Sequence, residues 1–224
     1  MSKFIAANRH INPLTKKEQI AAKILGSNKV IGFQDAIRVW NVEQPGYEPT
    51  MPFSEDVLRL CAKENKKGAD WRLVWINGFS LRQQHGIAGC NIKKQPCFDP
   101  NYTRWLEAAQ NSWATQSVEV GYRLLNFKKN FSDMTWHDQN DEIAKLGEKF
   151  ERAEEQVVAE ACLTIFMVKK ERLLKNWYHR GRFQASDGDS VDVGFFVQGG
   201  FRISYYWDHG AYSILGVVLS WKSA

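Results

Sequence analysis

No stretch of this sequence reads GxxxxGK or GxGxxG, so the glycine-rich loops that cradle phosphates have no counterpart here. The cysteines, Cys61, Cys90, Cys97 and Cys162, form no CxxC pair and no metal-ligand spacing, which argues against a disulfide framework or a zinc site. Nothing in the residue pattern calls for a cofactor. Internal repeats and low-complexity tracts are missing. Proline stops at Pro100, where the last of six stands. The start, MSKFIAANRH, has one apolar pair where a secretory signal needs an apolar region of about seven or more residues. Cytoplasmic synthesis with reduced thiols is therefore expected, without bearing on delivery into another cell. The longest uncharged run near the end, Gly210 to Trp221, is 12 residues and carries two Gly and two Ser, against roughly 20 for a membrane span.

What is present is apolar content and an uneven charge. At 224 residues and 44% hydrophobic, the chain suits one α+β domain over 1–224, with a sub-boundary near 95–101 between a basic part, 1–98, and the rest, 101–224. The net charge of +5 is mild, but residues 1–100 hold 15 basic and 9 acidic groups, so the bias sits in the first hundred residues. A solvated surface explains such a bias more simply than a nucleic-acid stripe does.

Period-2 alternation dominates the C-terminal part. Val191, Val193, Phe195 and Val197 alternate with Asp192, Gly194, Phe196 and Gln198, and Phe201, Ile203, Tyr205 and Trp207 with Arg202, Ser204 and Tyr206. A three-residue loop at Gln198–Gly200 keeps one face apolar by setting Val197 opposite Phe201 and Val193 opposite Tyr205. With a strand in GRFQA and a last one from Tyr212 to Trp221, the expected end of the chain is a four-stranded antiparallel meander.

Between Pro100 and that meander, spacing predicts two long amphipathic helices. Trp105, Ala109, Trp113, Gln116, Val120, Leu124, Phe127 and Phe131 mark the first; Ile143, Leu146, Phe150, Ala153, Val157 and Ala161 mark the second. The second passes from acidic to basic along its length, as the helix dipole favours, with Asp141–Lys145 and Glu148–Arg152 as i,i+4 pairs. The N-terminal part reads as mainly helical. Asn12, Pro13 and the TKKE box start a helix that Gly26 stops, a second covers roughly 33–41, YEPTMPF is a linker, and Ser54 caps a third. DWRLVWINGFS supplies one strand.

Chemistry is harder to find. Asp208 and His209 adjoin in a turn, with His179, Asp187, Asp189 and Asp192 placed to approach if the sheet folds over the long helix; a small hydrolase would use such a His and carboxylate. His85 with Cys90 or Cys97 would make a thiol pair. QIAAKILGSNKVIGFQDAIRVW sets Ala22 four residues before Gly26, as a DNA-reading helix-turn-helix does, which nominates Lys23, Lys29 and Arg38 for nucleic acid. Gly32, however, falls where the second helix needs an apolar anchor. The leading expectation is a non-catalytic interaction or regulatory module whose partner is another protein. Arg202, Tyr206, Phe196 and Trp221 are its contact candidates, because Arg and aromatic residues dominate interface hot spots. The sheet's second face is too apolar for a polar-out sheet, so either helices from the first hundred residues cover it or it is an exposed patch that binds a partner.

Overall fold

The computed structural model describes residues 14–44, 46, 49–107, 112–184 and 188–223. The expectations placed on Asn12, Pro13, Ala109 and Asp187 lie outside the described residues, as do parts of the YEPTMPF linker and of the turn after GRFQA.

Side-chain caps set the first helices. α1, Lys16–Leu25, starts with a reciprocal box in which Thr15 Oγ1 accepts from the Glu18 amide and Glu18 Oε2 accepts from the Thr15 amide. It ends at Gly26, whose φ of 101° few side chains tolerate. After the short strand β1, Val30–Ile31, come α2, Phe33–Trp40, and α3, Glu55–Asn65, the latter capped by Ser54. β2, Trp71–Ile76, is buried along its whole length, and α4, Leu81–Ala88, follows behind a Ser80/Gln83 box.

The middle of the chain departs from expectation. Where one long helix is predicted there are two single turns, α5, Arg104–Glu107, and α6, Ser112–Thr115, and then the strand β3, Gly121–Asn130. β3 runs between two other strands and buries Tyr122 and Leu124 to Phe127 on both of its faces, so it shows no alternation and its apolar positions mimic helical spacing. The second predicted helix is divided as well. α7, Trp136–Lys145, stops before Gly147 at φ 91°; β4, Phe150–Arg152, intervenes; and α8 runs Glu155–Lys169. The acid-to-base gradient thus spreads over three elements. Lys145 pairs with Glu142, and Arg152 is buried.

The meander is also corrected. β5, Tyr178–Gln184, β6, Ser190–Val197, and β7, Gly200–Tyr206, are consecutive antiparallel neighbours, but β8, Leu215–Trp221, does not pair with β7. It crosses to the middle of one mixed sheet of order β1-β2-β3-β8-β5-β6-β7, antiparallel to β3 and β4 and parallel to β5. Every residue of β8 is buried. A strand apolar on both faces belongs at a sheet's centre, so its composition fits this place better than an edge. The β6–β7 register has the expected parity with other partners: Val193 faces Ile203, Val191 faces Tyr205, and the ladder shifts before Val197 meets Gly200.

The architecture is therefore mixed α+β, with eight α-helices and an eight-stranded mixed sheet among the described residues. α8 lies on the sheet against β2, β5 and β6, with α2 and α4 packed on it, and α1 and α3 pack on each other and on β2. None of these helices, among the described residues, is long and apolar enough to cross a membrane.

β2 pairs with β3 over six residues, Trp71–Ile76 against Asn126–Gly121, and α2 covers part of α8. A fragment of residues 101–224 loses both. Near-UV circular dichroism and amide dispersion should show it molten or insoluble; sharp dispersion from a soluble fragment would contradict this.

Candidate functional site

The outer side of β5–β7 gathers the sequence-nominated Arg202 and Tyr206. Its shape depends on a bulge: two residues, Phe195 and Phe196, oppose the single Phe201, and Phe195 takes a φ of 45°. The bulge sends the two rings opposite ways. Phe196 becomes fully buried against Phe166 and Phe201, whereas Phe195 packs on Tyr178 with ring centres 5.2 Å apart. Gly194 leaves room for this, because a Cβ there would lie 2.6 Å from the Trp177 carbonyl.

Arg202, on β7, is the cross-strand partner of Gly194. Its guanidinium carbon lies 4.4 Å from the Tyr102 ring centre and 5.1 Å from that of Phe195, and its Nε donates to Asp99 Oδ2 at 2.9 Å. Asp99 is itself fixed, since the Phe201 amide donates to the Cys97 carbonyl and the Asp99 amide donates to that of Phe201. Gly200 permits this approach; a Cβ would meet the Asp99 amide at 2.6 Å. Beside the arginine, Tyr178, Tyr206 and Tyr212 follow one another with ring centres 5.7 and 5.5 Å apart. Tyr178 is buried, Tyr206 is half-buried, and Tyr212 and Trp207 are exposed, Trp207 at 60%. Trp221, the remaining nominee, lies in the other half of the sheet, packed on Trp71 and Phe150.

Beneath the tyrosines sit ionisable groups that water does not reach. Arg180 donates to the carbonyls of Met134, Trp207 and Gly210, which pins the loops before α7 and after β7 over the sheet. Its cross-strand neighbour Asp192 is fully buried. Ser190 Oγ lies 2.9 Å from the Tyr206 carbonyl and 3.2 Å from both Asp192 oxygens. A hydroxyl has one proton, so if Ser190 donates to the carbonyl, Asp192 must supply the proton for the other contact. Burial raises the Asp192 carboxyl well above the ordinary range, against the Arg180 charge, which agrees with a protonated acid.

His179 is held by the backbone. Its Nδ1 accepts from the Val218 amide and its Nε2 faces the Ala153 carbonyl, both at 3.0 Å, which fixes a neutral imidazole protonated at Nε2. It thereby closes the gap on β8 between the parts paired to β5 and to β4. Burial pushes its pKa down to about 3. His209 is at the opposite extreme: its side chain is 75% exposed, stacked on Trp207, with Nδ1 3.3 Å from Asp208. An acid partner is present there without an enclosing cleft. His85 does meet Cys90, with Nε2 2.9 Å from Sγ, and Cys97 is buried nearby. Burial lowers the imidazole and raises both thiols, and Cys90 sits just past the C-terminal end of α4, where the dipole disfavours a thiolate. The pair rests neutral.

Of the residues nominated for nucleic acid, Lys29 is paired with Asp70 and Arg38 with Asp35, while Lys23 lines a groove between α1 and α3. Asp99, Tyr102, Tyr178, Phe195 and Tyr212 join the site without having been nominated. Gly194 inside an alternating strand was the available signal, because such a glycine marks a bulge. No protein-family model, curated protein or solved structure matches the chain.

Two titrations of opposite sign follow. Asp192 is raised in the fold, so its contribution is full below the unfolded value near 3.8 and is lost as pH rises. Asp192→Asn, which keeps a neutral side chain, should melt higher than the parent at pH 8, with the gap closing towards pH 4; a lower melting point at pH 8 would refute the protonated acid. His179 is lowered, so its contribution is present above the unfolded value near 6.5 and fades as pH falls towards 3. His179→Phe orphans an amide and a carbonyl and should cost on the order of 2–4 kcal/mol at pH 8, and less in acid, by denaturant titration.

Proposed function

We propose that this chain is a non-catalytic interaction module that holds a segment of another protein on the outer side of β5–β7. The observation that carries the reading is the Tyr206–Tyr212 ring pair, half-buried and exposed, Tyr206 standing on the strand that also carries Arg202 locked in place, with Trp207 60% exposed directly after that strand. Aromatic residues and arginine are the groups that most often dominate binding energy between proteins. Pre-ordering also favours binding, because a side chain fixed beforehand loses little freedom on association. Arg202 is held by Asp99, Tyr102 and Phe195, so it shapes the face, and Trp207 and Tyr212 offer the larger contact area.

A random peptide library displayed against the full-length protein tests this reading. Selected peptides should lose about tenfold or more in affinity on Trp207→Ser or Tyr212→Ser, the change expected of an interface anchor. Because both side chains are exposed, thermal unfolding should hardly move. Selected peptides indifferent to both substitutions, or a library that yields none, would overturn it. Arg202→Lys should weaken both stability and binding, since lysine cannot occupy the stacked, bonded position of a guanidinium.

A further inference from the structure

A second surface lies on α1 and α3, helices that contribute nothing to the outer side of β5–β7. On α1, Ile20, Lys23 and Ile24 fall at i, i+3 and i+4 and form one stripe. On α3 and its C-cap, Glu55, Arg59, Ala62, Lys63 and Lys66 fall at i, i+4, i+7, i+8 and i+11 and form another. The opposite sides of the helices carry Ala21, Leu25, Leu58 and Cys61 into the core. Where the two stripes meet they line an open groove of about 610 Å³.

The groove carries both apolar and cationic lining. Ile20, Ile24 and Ala62 supply apolar surface, and Ile20 stays 39% exposed although it stands on a well-packed helix. Lys23 on one wall and Arg59, Lys63 and Lys66 on the other supply cations. The single lining carboxylate, Glu55, is engaged by Arg59 at 2.9 Å. The lining therefore carries four basic groups against one acid, a net of +3.

We infer that this groove docks an acidic amphipathic helix of another protein. Helices of 10 and 11 residues give the groove a length of about 15 Å, which accepts roughly three turns of a third helix. An apolar stripe at i, i+3, i+4 and i+7 would lie on Ile20, Ile24 and Ala62, and flanking Asp or Glu would reach the cations of both walls. Charge complementarity would set orientation and association rate, with the apolar contact slowing release. Nucleic acid fits less well, because phosphates use the cations and leave the isoleucines idle.

The test uses the full-length protein and a library of fluorescent acidic helices of about 14 residues, with fixed Glu positions and a varied apolar stripe, read by anisotropy. Members should bind, weaken as salt rises, and lose tenfold or more both on Lys23→Glu with Lys63→Glu and on Ile20→Ser. Trp207→Ser and Tyr212→Ser should leave this binding unchanged, so it can fail or stand apart from the face on β5–β7. Circular dichroism of each variant should match the parent, since all three groove positions are exposed. The inference is overturned if no library member binds, if the stripe can be scrambled without loss, or if a single-stranded oligonucleotide binds as tightly and is indifferent to Ile20→Ser.

Discussion

A helix buried along most of its length must seek partners for its polar groups inside the protein, and α8 is such a helix. Twelve consecutive residues, Glu155 to Phe166, are buried, among them two glutamates, a glutamine and a threonine. Its polar side chains become fixed points for other segments, although the Glu155 Oε2 and Gln156 Oε1 oxygens have no partner among the described residues. Glu160 receives the amides of Asn77 and Phe79, so the turn after β2 is built on a helix side chain. Glu155 receives the amide of Phe183 and needs Gly181 beside it, where a Cβ would overlap the carboxylate. Thr164 accepts from the Trp40 indole and ties down α2. Each such group costs about 1–3 kcal/mol if left unpaired. Burial pushes both carboxyls up to about 7 despite these donors, which shows how far desolvation dominates here.

The same logic runs through the sheet. β8 has two different neighbours on one side, β5 at its start and β4 at its end, and a gap between them would orphan the Val218 amide. His179 fills that gap with a side-chain nitrogen, and Ala153 completes it by donating to the Val218 carbonyl. A histidine kept neutral by burial suits this place, since a charged ring would have no acceptor to spare at Nδ1. The tyrosine face follows from this frame. β5 carries Tyr178 and Arg180 outward because His179 points inward, and Arg180 then draws the loops that bring Trp207 and Tyr212 to the rim.

Local chemistry was legible in the sequence, and strand placement was not. The caps at Thr15 and Ser54, the stop at Gly26 and the β2 strand follow from short-range rules, and all stand where those rules put them. β3 mimics a helix in sequence because a strand buried on both faces loses its period of two, and the spacing from Val120 to Phe131 coincides with a helical one. Gly147 breaks the second apolar series, yet a periodicity count passes over one glycine. The position of β8 depends on contacts between residues far apart in the chain, which no local pattern encodes. Parity put Arg202 and Tyr206 on one face correctly, since a shift of two residues preserves sidedness. Phe196 went inward because a bulge of one residue reverses it.

Charge distribution is the other property that only folding reveals. The bias of the first hundred residues is mild as a sum, but pairing removes some charges from play and leaves others together. Lys29 meets Asp70, which also accepts from Arg72; Arg72 is 4% exposed and forms two further bonds to Glu171, joining β2 to the segment after α8. Arg38 is taken by Asp35 on the same helix. Exposed pairs of the latter kind add little stability, whereas the buried Arg72 network would leave uncompensated charge if broken. Its demand for carboxylates draws Asp70 and Glu171 towards β2. Lys23, Lys63 and Lys66 converge instead on one groove with a single acid in its lining. A dispersed excess thus becomes a local field, and a local field over apolar surface is what a particular acidic helix can be selected by.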